Sequence, residues 1–217
     1  MTGVRSVTIL GPSPALAPPN IVVRQAGTRL HRVHAWNRLS NEFNPCRGNP
    51  TRFAPILDAR GRCVPSLYAG STFIAAAYET IFHDVPAKAK RKSVLSSRVM
   101  DCVHGTLELR CDIRLASLRE PDLSKWHISR NSLIGSSPKL YPRTAAWAKA
   151  VHDQFPEVQG LVWTSNQCDP DDACLFFGDR VRTLDFRVVA RRDGRREPLF
   201  LADVRRAGRR AGITIVI

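Results

Sequence analysis

The stretch SLYAGSTFIAAAYET, residues 66–80, carries a single full charge, Glu79, among small and apolar side chains. A carboxylate so placed can steady a positive charge that develops beside it. Arginines, here Arg32 in RLHRVH and Arg52 in TRF, grip paired anionic oxygens better than lysine does. Tyr68 offers a flat ring with a hydrogen-bonding hydroxyl, and Ser165, in WTS at a strand end, can donate to an oxygen or hold Glu79 in place. Each residue has a plainer reading: Arg32 as a strand arginine, Arg52 bracing its loop against Phe53, Tyr68 as a core tyrosine, Ser165 as a turn residue.

The element that positions Glu79 is read from periodicity. TFIAAAYETIFHDV predicts a helix stopped by Pro86. At about 100° per residue, Phe73, Ile74, Ala77, Tyr78 and Ile81 form its buried stripe. Thr72, Ala76, Glu79 and His83 form another face, with Ala75 nearby. A face built for bulk solvent carries Lys, Gln and more Glu, whereas Thr and Ala let something approach closely. The helix alone leaves open an ordinary glutamate paired with His83 four residues on.

The remaining chain predicts an α+β fold: a single compact domain with mixed, short-stranded sheets. A Pro-rich opening, residues 1–26, reads as an irregular arm before a domain over 27–217 that begins with the strand RLHRVH. Residues 40–66 are rich in Gly, Pro and Asn and predict an extended binding loop. SSRVMDCVHGTLELRCDIRLASL reads as one or two strands, RTAAWAKAVHDQF as a second helix, and GLVWTS and CLFFG as strands around the loop NQCDPDDA. A basic extension, residues 181–217, mixes strands with a basic helix and closes on ITIVI.

Composition bounds the partners. The 217 residues include 33 Lys and Arg against 19 Asp and Glu, a net charge of +14, so the surface should attract nucleotides, polyanions or an acidic partner. The clusters KAKRK, RRDGRR and VRRAGRR read as solvated faces, and without helix-turn-helix, zinc-finger or aromatic RNA platforms they make direct nucleic-acid binding the weaker class. No run reaches the ~18 apolar residues of a membrane span, and the start lacks a secretory signal, so a cytoplasmic protein is expected. Six scattered cysteines without a C-x-x-C pair argue against a metal site and are expected to be reduced, mostly buried thiols. Neither a Ser-His-Asp or Cys-His nucleophile site nor a phosphate-binding glycine loop is present.

Taken in order, L-x-R-V-H with Arg32, R-F with Arg52, L-Y-A-G-S with Tyr68, A-x-E-T with Glu79, A-A-W-A-K-A, and Q-G-L-V-W-T-S with Ser165 resemble the RES-domain family over about residues 29–180. The family is named for an arginine, a glutamate and a serine, and its members are NAD-attacking toxins of bacterial toxin–antitoxin pairs. The resemblance implies a fold similar to ADP-ribosyltransferases. It also implies NAD as substrate rather than bound cofactor, and cleavage of the nicotinamide–ribose bond by phosphorolysis with inorganic phosphate or by hydrolysis. Transfer to a protein target is the alternative. A cognate Xre-type antitoxin is the implied partner. Glu79, Arg32 and Tyr68 would be catalytic, and Arg32, Arg52, Tyr68 and Ser165 would bind NAD. Two positions depart from the family pattern: His31 stands where a tyrosine is frequent, and Asn166 where a basic residue often follows the serine.

Overall fold

The computed structural model describes residues 9–86 and 88–217. Its elements are β1 (Ile21–Arg24), β2 (Arg29–Ala35), β3 (Ile56–Leu57), β4 (Cys63–Val64), β5 (Ser66–Gly70), α1 (Phe73–Tyr78), β6 (Lys92–Leu95), α2 (Ser96–Met100), β7 (Cys102–Leu109), β8 (Ile113–Ser117), α3 (Arg130–Leu133), α4 (Tyr141–Gln154), β9 (Gly160–Thr164), β10 (Asp172–Phe177), β11 (Phe186–Asp193), α5 (Pro198–Arg210) and β12 (Ile213–Val216). Eight strands form one sheet in the order β1-β8-β9-β10-β5-β2-β7-β11. Only β8 and β9 run parallel within it. β3 and β4 make a small hairpin, and β6 pairs in parallel with the closing β12.

Alternation along the strands fills both faces of this α+β sheet. On β10, Ala173, Leu175 and Phe177 pack with Trp147 and Val151 of α4, while Cys174 and Phe176 point the other way. On that second face Ile113 and Leu115 of β8 share a cluster with Phe186 of β11, although the two strands lie near opposite ends of the sheet. The sheet is therefore curled upon itself. β2 and β5 are joined in register only at His31 and Gly70. Elsewhere the two strands part, and the cleft described below is lined by both.

Several expectations are corrected. Residues 1–8 of the expected irregular arm lie outside the described residues. Residues 9–20 lack regular structure but are docked, with Ile9 buried and Trp147 Nε1 donating to Leu10 O at 2.9 Å. Ile21, Val22 and Val23, β-branched and suited to a pleated surface, pair with β8 as a strand of the main sheet. The one or two strands expected over SSRVMDCVHGTLELRCDIRLASL are two, β7 and β8, parted at Arg110–Asp112, but the segment's start, Ser96–Met100, is the helix α2.

The helix expected to run through Val85 ends at Tyr78. Its start is capped by Thr72, whose Oγ1 accepts from Ala75 N at 3.1 Å. Beyond Glu79, the N–H groups of Thr80, Ile81 and Phe82 converge on Ala77 O, while Thr80 Oγ1 donates to Val33 O of β2 at 3.2 Å. Ile81 and Phe82 both turn into the core, and the chain leaves the helix.

The expectation of six free thiols also fails. Cys46 and Cys63, 17 positions apart in sequence, form a disulfide with their Cα atoms 6.0 Å apart, because the β3–β4 hairpin folds the chain back between them. Cys102, Cys168 and Cys174 are buried and free, and Cys111 is exposed. No helix among the described residues is long and apolar enough to cross a membrane.

Candidate active site

Glu79 is the C-cap of α1, its N–H bonded to Ala75 O at 2.9 Å. Two features fix that position. Gly70 at the end of β5 lets α1 press close, since a Cβ there would stand 3.0 Å from Ala76 N. Behind the carboxylate lies Ser165, fully buried just after β9. Its Oγ accepts from the N–H groups of Gln167 (3.3 Å) and Cys168 (3.2 Å), so its proton is free to go to Glu79 Oε1, 2.6 Å away. One proton and two acceptor sites are thereby used.

No Lys, Arg or His lies within ion-pair distance of Glu79 among the described residues. A helix C-terminus carries partial negative charge, so its location gains nothing from α1. The other expected partner, His83, turns away. Its Nδ1 is 2.9 Å from Asp84 Oδ1 and its Nε2 is 3.2 Å from Tyr141 Oη.

Glu79 lines a cleft of about 400 Å³ together with Arg32, Arg52 and Tyr68. Ser165 is absent from the lining and reaches the cleft only through Glu79. Arg32 rises from β2, where Nη1 donates to the carbonyls of Ser40 (2.9 Å) and Glu42 (2.6 Å). That loop can sit over the strand because the residue paired with Arg32 is Gly105, and a Cβ there would collide with Ser40. Burial pushes the Arg32 guanidinium down to about 10, which leaves it cationic at neutral pH. Its Nε and Nη2 have no hydrogen-bond partner among the described residues.

Arg52 is braced in the same manner. Nη1 donates to Ser136 Oγ (3.0 Å) and Ser136 O (3.2 Å), and the guanidinium lies 5.2 Å from the Tyr141 ring centroid. Both arginines therefore spend one nitrogen on the scaffold and keep other donors. For Tyr68, Thr51 Oγ1 donates to Ala54 O, so the phenol donates to Thr51 (2.9 Å) and accepts from Phe53 N (3.0 Å). Burial pushes this hydroxyl up to about 12. The side chain offers the cleft its ring, set edge-on to Trp163 with centroids 6.2 Å apart.

Sequence reasoning missed Tyr141, which lines the cleft from the start of α4 between Arg52 and His83. It also missed the Asp84–Arg98 pair at the rim (3.0 Å). Asn166, the departure from the family pattern, is exposed and outside the lining, so the cation it lacks is not one withdrawn from the cleft.

Comparison with known proteins agrees with this architecture. The crystal structure of the M. tuberculosis MbcT–MbcA toxin–antitoxin complex contains a chain of the same fold, with a TM-score of 0.62 at 14% identity over 85% of this chain and 92% of that one. No curated protein matches the chain by sequence. The RES domain family matches residues 28–199, a span that holds every cleft residue named above and most of the sheet, and the chain belongs to that family.

Proposed function

We propose that the cleft consumes NAD by breaking the bond between nicotinamide and ribose, and that the protein is the toxin of a toxin–antitoxin pair. The observation that carries this reading is Glu79: a half-buried carboxylate held by a neutral hydroxyl, without a cationic partner among the described residues, in a cleft that also holds Arg32 and Arg52. Such a group gains most when a cation arrives. Cleavage makes one, because the bonding pair leaves with the nicotinamide nitrogen and the ribose carbon becomes positive. Ser165 keeps the carboxylate from turning away. The free donors of Arg32 and Arg52 suit the pyrophosphate oxygens, which a guanidinium takes in pairs. The Tyr68 ring suits the nicotinamide plane.

An acceptor completes the reaction by forming a new bond to the ribose carbon. Water gives ADP-ribose and releases a proton; inorganic phosphate gives ADP-ribose 1″-phosphate. NAD is spent as substrate, so no resident cofactor is required. Membership of the RES family and the fold shared with a chain of a toxin–antitoxin complex support the toxin reading and an antitoxin partner. The net charge of +14 suits an acidic segment from an antitoxin of the Xre type. Incubation of the protein with NAD, with and without phosphate, followed by mass spectrometry of the products, tests the reading. Free nicotinamide with either ADP-ribose product supports it, a protein acceptor gaining the ADP-ribose mass favours transfer, and intact NAD under every condition refutes it.

A further inference from the structure

Behind the β2 wall of the cleft runs a chain of polar side chains that the cleavage chemistry leaves unused. Arg192, on β11, pairs with Asp203 Oδ2 of α5 at 2.6 Å and donates from Nε to His104 Nδ1 of β7 at 3.0 Å. Its guanidinium lies 5.0 Å from the ring centroid of Phe73 and 5.5 Å from that of Phe200, so it is fixed by a carboxylate and two aromatic rings. Arginine only donates. His104 Nδ1 must accept, and a neutral His104 then carries its proton on Nε2. That nitrogen is 3.0 Å from His31 Nδ1. It donates there, which obliges a neutral His31 to carry its own proton on Nε2.

Both rings are held neutral. Burial and then the Arg192 guanidinium push His104 down to about 3, and the same two causes lower His31. Among the described residues His31 Nε2 has no hydrogen-bond partner, and it is not sealed in the core. His31 lines the cleft at the position where β2 meets β5.

We propose that His31 contacts the substrate as a neutral N–H donor, and that Asp203, Arg192 and His104 are positioning residues that lock its tautomer from outside the cleft. The inference rests on the NAD reading for the identity of the substrate. The acceptor is an uncharged oxygen of the dinucleotide, a ribose hydroxyl or the carboxamide carbonyl. A neutral donor can orient that oxygen without placing positive charge beside a ribose carbon that is itself becoming positive. The lock gives part of the basic C-terminal segment a task that its charge alone does not suggest.

Ring ¹⁵N shifts of the full-length protein at neutral pH, read together with NAD turnover, test this. Wild-type His31 and His104 are both expected as Nε2–H tautomers. Arg192→Met, which keeps a stem against Phe73 and Phe200 but removes the donor, should mix both tautomers and lower kcat/KM by about tenfold while melting near wild type. His31→Gln, whose amide can reach the place of Nε2, should keep more turnover than His31→Ala. A His31 ring protonated on Nδ1 or on both nitrogens overturns the proposal, as do unchanged shifts in Arg192→Met or full turnover in His31→Ala. The wild-type shifts need no variant to fold. Locked tautomers in a protein that leaves NAD intact count against the dinucleotide reading and for the lock; NAD consumption with unlocked tautomers does the reverse.

Discussion

Glu79→Gln changes charge with little change of shape, and two energies set what it should do. The amide oxygen can still accept from Ser165 Oγ, now 2.6 Å from Oε1, so the contact survives as a neutral hydrogen bond. That weakening costs about 1 kcal/mol. It is offset by removing an unpaired, half-buried anion from the negative end of α1, and the variant should melt close to wild type. Turnover is another matter. A unit negative charge about 4 Å from a ribose cation is worth about 4 kcal/mol at an effective dielectric of about 20. With half to all of the positive charge developed at the transition state, kcat/KM falls by about 30-fold to about 1000-fold. Nicotinamide release under steady-state conditions, beside a thermal melt, measures both quantities. A variant within threefold of wild type, from a protein that does consume NAD, would refute the electrostatic role and return Glu79 to an ordinary cap residue.

Ser165→Ala strands the N–H groups of Gln167 and Cys168 and unpins Glu79, so it should cost about 2–3 kcal/mol in urea unfolding and about tenfold in kcat/KM; wild-type turnover would mean that Glu79 needs no anchor. Arg52→Lys keeps charge but loses the planar fork, and should raise KM for NAD by about tenfold with kcat nearly unchanged; an unchanged KM would leave Arg52 as the brace between Ser136 and Tyr141. Burial, followed by neighbouring guanidinium charge, pushes His34 down to about 4 and His104 down to about 3. Because the unfolded chain binds protons first, the stability these neutral rings contribute is whole above about pH 6.5 and is lost as pH falls toward those folded values. At pH 5 each ring should cost about 2 kcal/mol relative to pH 7, read by urea unfolding at the two pH values; equal midpoints would contradict the buried neutral state.

Local pattern made much of the scaffold legible. RLHRVH, GLVWTS and CLFFG alternate or run apolar as strands do, and Tyr141–Gln154 follows the helical period of RTAAWAKAVHDQF. The order of the motifs also pointed to Arg32, Arg52, Tyr68 and Glu79 together, and all four line one cleft. What stayed hidden depends on contacts between distant segments. α1 is cut short because Thr80 bonds to β2 and Phe82 enters the core, events invisible to a local period. The Cys46–Cys63 bridge follows from a hairpin turn rather than from spacing. Tyr141 lies far along the chain from Arg52, and only the curled sheet brings it to the cleft; the same curl decides between the two roles the sequence left open for Ser165, setting it behind Glu79 rather than in the lining. Arg192 sat in a run read as solvated surface, yet it is half-buried against Phe73 and Phe200.

Whether NAD lies in the cleft between β2 and β5 is tested most directly by a crystal structure of Glu79→Gln with NAD bound. The expected result puts the nicotinamide-bearing ribose carbon within about 4 Å of the residue-79 side chain, the range over which a charge pair acts strongly. The pyrophosphate should meet Arg32 and Arg52, and the nicotinamide ring should lie against Tyr68. Density for NAD elsewhere on the protein, or a dinucleotide whose ribose lies away from residue 79, would contradict it.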